Sequence, residues 1–189
     1  MAELWHAISG NVWVLPATAP LSLLDVTQSP SGTKVVRAYR IWHFDSEQRR
    51  SPSAGVITKF VVARIGATGE VGGTRGAMLR PARSSYALPS EITAGSHRHY
   101  AATPLASEEI IRQYSRSCNT VAPAGVTTID TWEMDVPMAL VFESGLMSAS
   151  LEPVVVRPNQ AIHVRQESTS GNSVWPMLTI EIEFTVGNT

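Results

Sequence analysis

The clearest hydrophobic pattern in the chain spans residues 152–186. From Met177 to Val186 the sequence alternates strictly: Leu178, Ile180, Ile182, Phe184 and Val186 fall on one side, Thr179, Glu181, Glu183 and Thr185 on the other. Successive side chains leave opposite faces of a pleated strand, so this spacing predicts a strand whose apolar face is core. Upstream lie an apolar run, Val154-Val155-Val156, a turn at Arg157-Pro158-Asn159 and a second alternating segment, Ala161 to Gln166. A polar loop, Glu167 to Asn172, joins the two alternating segments. A closing strand so regularly patterned is expected to be paired inside a sheet.

The same reading extends to the rest of the chain. Residues 1–33 carry two apolar patches, around Trp13-Val14-Leu15 and Leu21 to Leu24, punctuated by Pro16, Pro20, Pro30 and Gly32. With prolines this frequent, edge strands or an extended arm fit better than a helix. Lys34 to Phe44 reads as a strand with Val36, Ala38, Arg40, Trp42 and Phe44 on one face and Val35, Arg37, Tyr39, Ile41 and His43 on the other. Both faces are mixed, which fits a strand at an interface. After a polar loop from Asp45 to Ala54, Gly55 to Ile65 is a further strand, with Ile57, Val61, Ala63 and Ile65 sharing a face interrupted by Lys59. Gly66 to Gly76 holds five glycines and predicts a broad hairpin loop. In the irregular stretch that follows, Ser107 to Tyr114 predicts a helix of one to two turns. Ser107 would cap it, Glu108 and Glu109 lie in its first turn, and Ile110, Ile111 and Tyr114 share a face. Strands are again expected over Thr127 to Val136, where Trp132, Met134 and Val136 are in register, and over Met138 to Phe142. The sum is an all-β chain of about eight strands, for which a jelly-roll-like sandwich is the preferred architecture. Residues 34–189 are expected to form the sandwich domain, and residues 1–33 its N-terminal arm or edge strands.

Composition sharpens this picture. The chain has 189 residues, enough for one good core, and only 16% of them are charged. A surface so poor in charge suits burial against other subunits. The formal net charge of -1 gives no electrostatic case for nucleic acid as a partner. Lys34 and Lys59 are the only lysines among 15 basic residues. Arginine suits packed interfaces, and a GC-rich codon bias explains the preference equally well. Cys118 is the single cysteine, so an intrachain disulfide is excluded. The beginning of the chain lacks a basic signal-peptide start, and no run approaches the roughly twenty apolar residues of a membrane helix. The expectation is a soluble protein with no membrane partner, made in the cytoplasm of a cell or of a host.

Candidate chemistry is sparse. His97 and His99, two apart, would share a strand face, a spacing used by metal sites. Gly95-Ser96-His97-Arg98-His99 resembles the first metal motif of the cupins, but the following glutamate is replaced by Ala101-Ala102-Thr103-Pro104. His163 is the only later histidine, and it lacks the glycine context of a second motif. The glycine loop has no Gly-Lys-Ser/Thr ending to hold phosphate. No Gly-x-Ser-x-Gly elbow occurs, and Cys118 has no neighbouring base. Glu181 and Glu183 share a face as a glycosidase pair would, and an exposed acidic face explains them more simply. No catalytic constellation, cofactor site or metal site is expected, and the chain reads as a non-enzyme.

The segment from Leu151 to Gln166, Leu-Glu-Pro-Val-Val-Val-Arg-Pro-Asn-Gln-Ala-Ile-His-Val-Arg-Gln, with the alternating strand after it, resembles the closing portion of small structural proteins of tailed phages. Those place Gly-Glu where Asn159-Gln160 stands here, and glycine where Ala161 stands. The resemblance implies a virion component of the phage head: a jelly-roll capsid decoration (cement) protein, homotrimeric, with the major capsid protein as partner. The alternatives are a head- or tail-fibre module that binds host glycan, and a cupin-like metal enzyme. Subunit or capsid contacts are expected on a face bearing His163, Arg165, Glu181 and Glu183.

Overall fold

The computed structural model describes residues 3–9, 12–13, 21–49, 56–66, 70–71, 75–76, 78–81, 89–96, 98–100, 108–118, 138–144, 152–167 and 175–188. Its strands are β1 (Glu3–Ile8), β2 (Val12–Trp13), β3 (Leu21–Gln28), β4 (Lys34–Arg49) and β5 (Val56–Gly66). There follow β6 (Glu70–Val71), β7 (Arg75–Gly76), β8 (Met78–Pro81), β9 (Ile92–Ser96) and β10 (Arg98–Tyr100). The chain closes with β11 (Glu109–Cys118), β12 (Met138–Glu143), β13 (Val154–Val156), β14 (Gln160–Gln166) and β15 (Trp175–Asn188). All described pairings are antiparallel, and they form two sheets.

Eight long strands set the topology. β1 pairs with β15, β3 with β14, β4 with β12, and β5 with β11, so first meets last and the pairs nest inward. Folding that nested ribbon over joins β15 to β4 in one sheet and β14 to β5 in the other. The resulting orders, β12-β4-β15-β1 and β11-β5-β14-β3, are those of a jelly roll. The chain between β5 and β11 widens both sheets: β8 pairs with β1, while β9 and β10 pair with β3. The expected single hairpin over Gly66 to Gly76 is instead two short bridges, β6 to β10 and β7 to β9.

The core lies between the sheets. Leu178, Ile180, Ile182, Phe184 and Val186 of β15 all enter it, as their alternation predicts. They meet Leu24 and Val26 of β3, Phe60 and Val62 of β5, and Ile162 and Val164 of β14. The mixed faces of β4 have a local cause. Glu183 stands opposite Arg40 but Phe184 opposite Ala38, so Tyr39 is an extra residue in β4. The bulge exchanges the faces: Val36 and Ala38 point inward before it, Ile41 and His43 after it. A second bulge leaves Leu23 extra against β14, and both Leu23 and Leu24 are buried.

Two expectations change. Residues 109–118 form strand β11, not a helix, and Ser107 lies outside the described residues. A helix of one or two turns stabilises itself poorly. Pairing with β5 gives the segment nonlocal support from Glu109 to Cys118, and a bulge at Ile111 breaks the alternation that would have betrayed a strand. Of the arm or edge strands expected over residues 1–33, the described part forms strands, and two of them are interior: β1 lies between β15 and β8, and β3 between β14 and β10. The strand expected over Thr127 to Val136 lies outside the described residues.

The Arg157-Pro158-Asn159-Gln160 turn carries the chain from β13 in one sheet to β14 in the other. Gln160 N–H donates to Arg157 O at 3.1 Å, and Asn159 has φ 62°. Proline second and a left-handed asparagine third are the requirements of a type II turn. Arg157 N–H also donates to Gln160 Oε1 at 2.9 Å. Asn159→Gly is therefore expected to leave the denaturation midpoint nearly unchanged, whereas Asn159→Val, whose branched side chain opposes positive φ, should cost about 1–2 kcal/mol in urea unfolding. Truncating Phe184 to alanine should cost about 3–5 kcal/mol in the same measurement.

Candidate functional site

The sheet made by β14, β3 and β5 is buried on both faces. Opposite its core side, Val61, Ala63 and Ile65 of β5 are covered, as are Ala161, His163 and Arg165 of β14. His163 stands between Asp25 and Ala63 in register, and Asp25 is itself fully buried. Arg165 makes a two-toothed contact with Glu108, Nε to Oε1 at 2.8 Å and Nη2 to Oε2 at 3.2 Å. Its Nη1 lies 2.7 Å from Glu167 Oε1, close enough for an ion pair though not aligned as a hydrogen bond. Glu108 Oε1 is 3.6 Å from His163 Nε2. Arg165 thus ties the start of β11 to the middle of the sheet, and removing it would leave the largely buried Glu108 carboxylate without its cation.

Burial, with repulsion from the Arg165 guanidinium added to it, lowers the His163 pKa from 6.5 to about 3. The imidazole is therefore neutral in the fold. The unfolded chain takes up a proton as pH falls through 6.5 while the folded chain does not, so the stability contributed is complete above 6.5 and drains away as pH falls towards 3.

The other sheet turns one face outward, and register places its residues in rows. One row reads Glu143, Arg40, Glu183, His6 across β12, β4, β15 and β1, and Arg80 holds the next position on β8. The row beside it reads Leu140, Trp42, Glu181, Ile8, with Met78 at the β8 position. Arg40 Nε donates to Glu143 Oε1 at 2.7 Å and Nη1 to Glu183 Oε1 at 3.3 Å. The bond to Glu143 and the charge of Glu183 raise the Arg40 pKa further, so it stays cationic. His6 Nδ1 lies 2.5 Å from Glu181 Oε1. Leu140 is 39% exposed, and the half-buried Trp42 and Phe44 stack with centroids 6.4 Å apart. The face combines apolar side chains with polar groups bonded to one another, Arg40 serving both Glu143 and Glu183 and His6 meeting Glu181, a composition suited to contact with protein.

Between the sheets, His43 of β4 meets Tyr114 of β11, Nδ1 to Oη 3.0 Å, and both rings pack on Phe60. This cluster clasps the sandwich shut.

The contact face expected from sequence does not exist as one surface. Glu181 and Glu183 lie on the outward face of one sheet, whereas His163 and Arg165 are buried on the other. Nor are the two glutamates an exposed acidic face, since His6 and Arg40 pair with them. His97 lies outside the described residues, and His99 sits on β10 opposite Leu21 and Val71. Among the described residues no group of three or more potential donors could hold a metal ion. Cys118 ends β11 opposite Val56. Of the tryptophans, Trp5 is core, Trp42 faces outward, and Trp132 lies outside the described residues. The row Glu143-Arg40-Glu183-His6 draws on residues up to 177 positions apart and leaves no local signal in the sequence. Only the alternation of Glu181 and Glu183 marks the face in advance.

No family model matches the chain, and no curated protein or solved structure matches it either.

Between pH 6.5 and about 5, above the range where exposed carboxylates titrate, folding stability should fall by up to ~1.4 kcal/mol per pH unit. His163→Gln should flatten that slope, as read from urea midpoints across the interval. Arg165→Met is expected to lower stability by about 3–5 kcal/mol at neutral pH, again by urea unfolding, because Glu108 and Glu167 lose their cation.

Proposed function

We propose that this chain is a capsid decoration (cement) protein of a tailed phage, a non-catalytic subunit that covers seams between major capsid subunits on the outside of the head. The observation that carries this reading is the outward face of the β12-β4-β15-β1 sheet. Its apolar side chains, Leu140, Trp42 and Ile8, can be covered by protein, whether capsid or a second subunit, while Glu143 and Glu183 keep Arg40 and Glu181 keeps His6. The jelly-roll order supports the reading, because that architecture serves viral capsid domains among others. So does the likeness of residues 151–186 to phage structural proteins. Mechanically, contact area laid across a seam must be broken before the capsid subunits beneath it separate, and several attached copies add avidity.

A glycan-binding fibre module is the second reading, supported by the Trp42–Phe44 pair, whose rings offer a flat apolar platform. The two readings part in one experiment. Purified protein should co-sediment with expanded phage heads and raise their melting temperature by several degrees, with no signal on a glycan array. Glycan binding without capsid binding would reverse the order.

A further inference from the structure

The charged row on the outward face has a symmetry of its own. Read from β12 to β1 it runs carboxylate, guanidinium, carboxylate, imidazole: Glu143, Arg40, Glu183, His6. Read in reverse it runs base, acid, base, acid. A two-fold axis parallel to the strands and midway between β4 and β15 maps the row onto itself in that reversed sense. It brings Arg40 against the partner's Glu183 and Glu143 against the partner's His6. The same operation sets Leu140 against the partner's Ile8 in the neighbouring row, and Trp42 against the partner's Glu181, whose carboxylate stays bonded to His6 of its own chain. Strands of the two faces then run in nearly the same direction, as in aligned sheet packing, where sheets lie ~10 Å apart.

We propose that this face docks a second copy of the chain about that two-fold axis. The proposal rests on the reading of the face as a protein-contact surface and names its occupant. Charge complementarity selects the copy: each Arg40 meets the partner's Glu183, each Glu143 meets the partner's imidazole, and a one-strand slip in either direction places carboxylate on carboxylate. The ion pairs set register while Leu140, Trp42 and Ile8 supply most of the attraction, since charges already bonded within each chain gain little from further burial. A two-fold contact stands in place of the three-fold assembly that the phage resemblance implies, and it leaves the rest of the surface for the capsid.

The test uses the full chain in sedimentation equilibrium. The wild type should be a dimer. Arg40→Glu and Glu183→Arg, which each create a like-charge clash across the axis, should weaken self-association about ten-fold or more. An equimolar mixture of the two variants restores every cross-axis pair and should recover the dimer to within about three-fold of the wild type. A purely intrachain role for Arg40 and Glu183 would give no recovery on mixing. Leu140→Glu, at an exposed position, should abolish the dimer while keeping the wild-type melting temperature. A monomeric wild type, a trimeric mass, a mixture that stays monomeric, or a dimer that survives Leu140→Glu would each overturn the proposal. Capsid co-sedimentation of Leu140→Glu separates the two readings. Loss of capsid binding by Leu140→Glu, beside a monomeric wild type that binds, would keep the decoration role and assign the face to the capsid.

Discussion

Everything in this fold hangs on the pairing of β15 with β4, which runs from Trp175 opposite Arg49 to Asn188 opposite Lys34. The inner side of that ribbon is the apolar row from Leu178 to Val186, and it forms one wall of the core. Its outer side aligns Glu181 with Trp42 and Glu183 with Arg40, which creates the face proposed as the contact surface. Because a slip of one residue would invert every side chain, burial of the inner row fixes the outer row as well. The core and the surface are set by one register.

The two sheets handle charge differently. On the β12-β4-β15-β1 face, carboxylates and cations pair in partial contact with water. On the other sheet, Arg165 and His163 are enclosed: Arg165 depends on Glu108 and Glu167 held in place beside it, and His163 is neutral. The first arrangement is partly open to solvent and so lies within reach of another molecule. The second stabilises the sheet only while its own contacts are intact, so it belongs to the scaffold.

How much of this was legible follows the range of the forces involved. The alternation of β15 is local and was read with its inward face correct, as was the sharing of a face by Val61, Ala63 and Ile65. The single extra residue Tyr39 made β4 look ambiguous, because a bulge changes phase without changing composition. Ile111 did the same in β11, and there the broken alternation resembled a helix. Sequence spacing gives no access to which distant strands meet. His163 and Arg165 therefore looked like surface residues on an alternating strand, when their sheet is covered on both sides. The charged row, assembled across four strands, was out of reach for the same reason.

The nesting of the strands also orders events in time. β1 and β4 have no hydrogen bonds to each other, since β15 lies between them, and β3 and β5 are separated in the same way by β14. A ribosome delivers β1, β3, β4 and β5 long before β14 and β15 emerge. During that interval the interior edges of both half-built sheets are unpaired, with Leu24, Ile41 and Phe60 beside them. Such edges are templates for association with other chains. The last strands therefore act as a bolt: until they slide between their neighbours, the nascent chain carries two open seams, and the cell that makes it must keep them from closing on anything else.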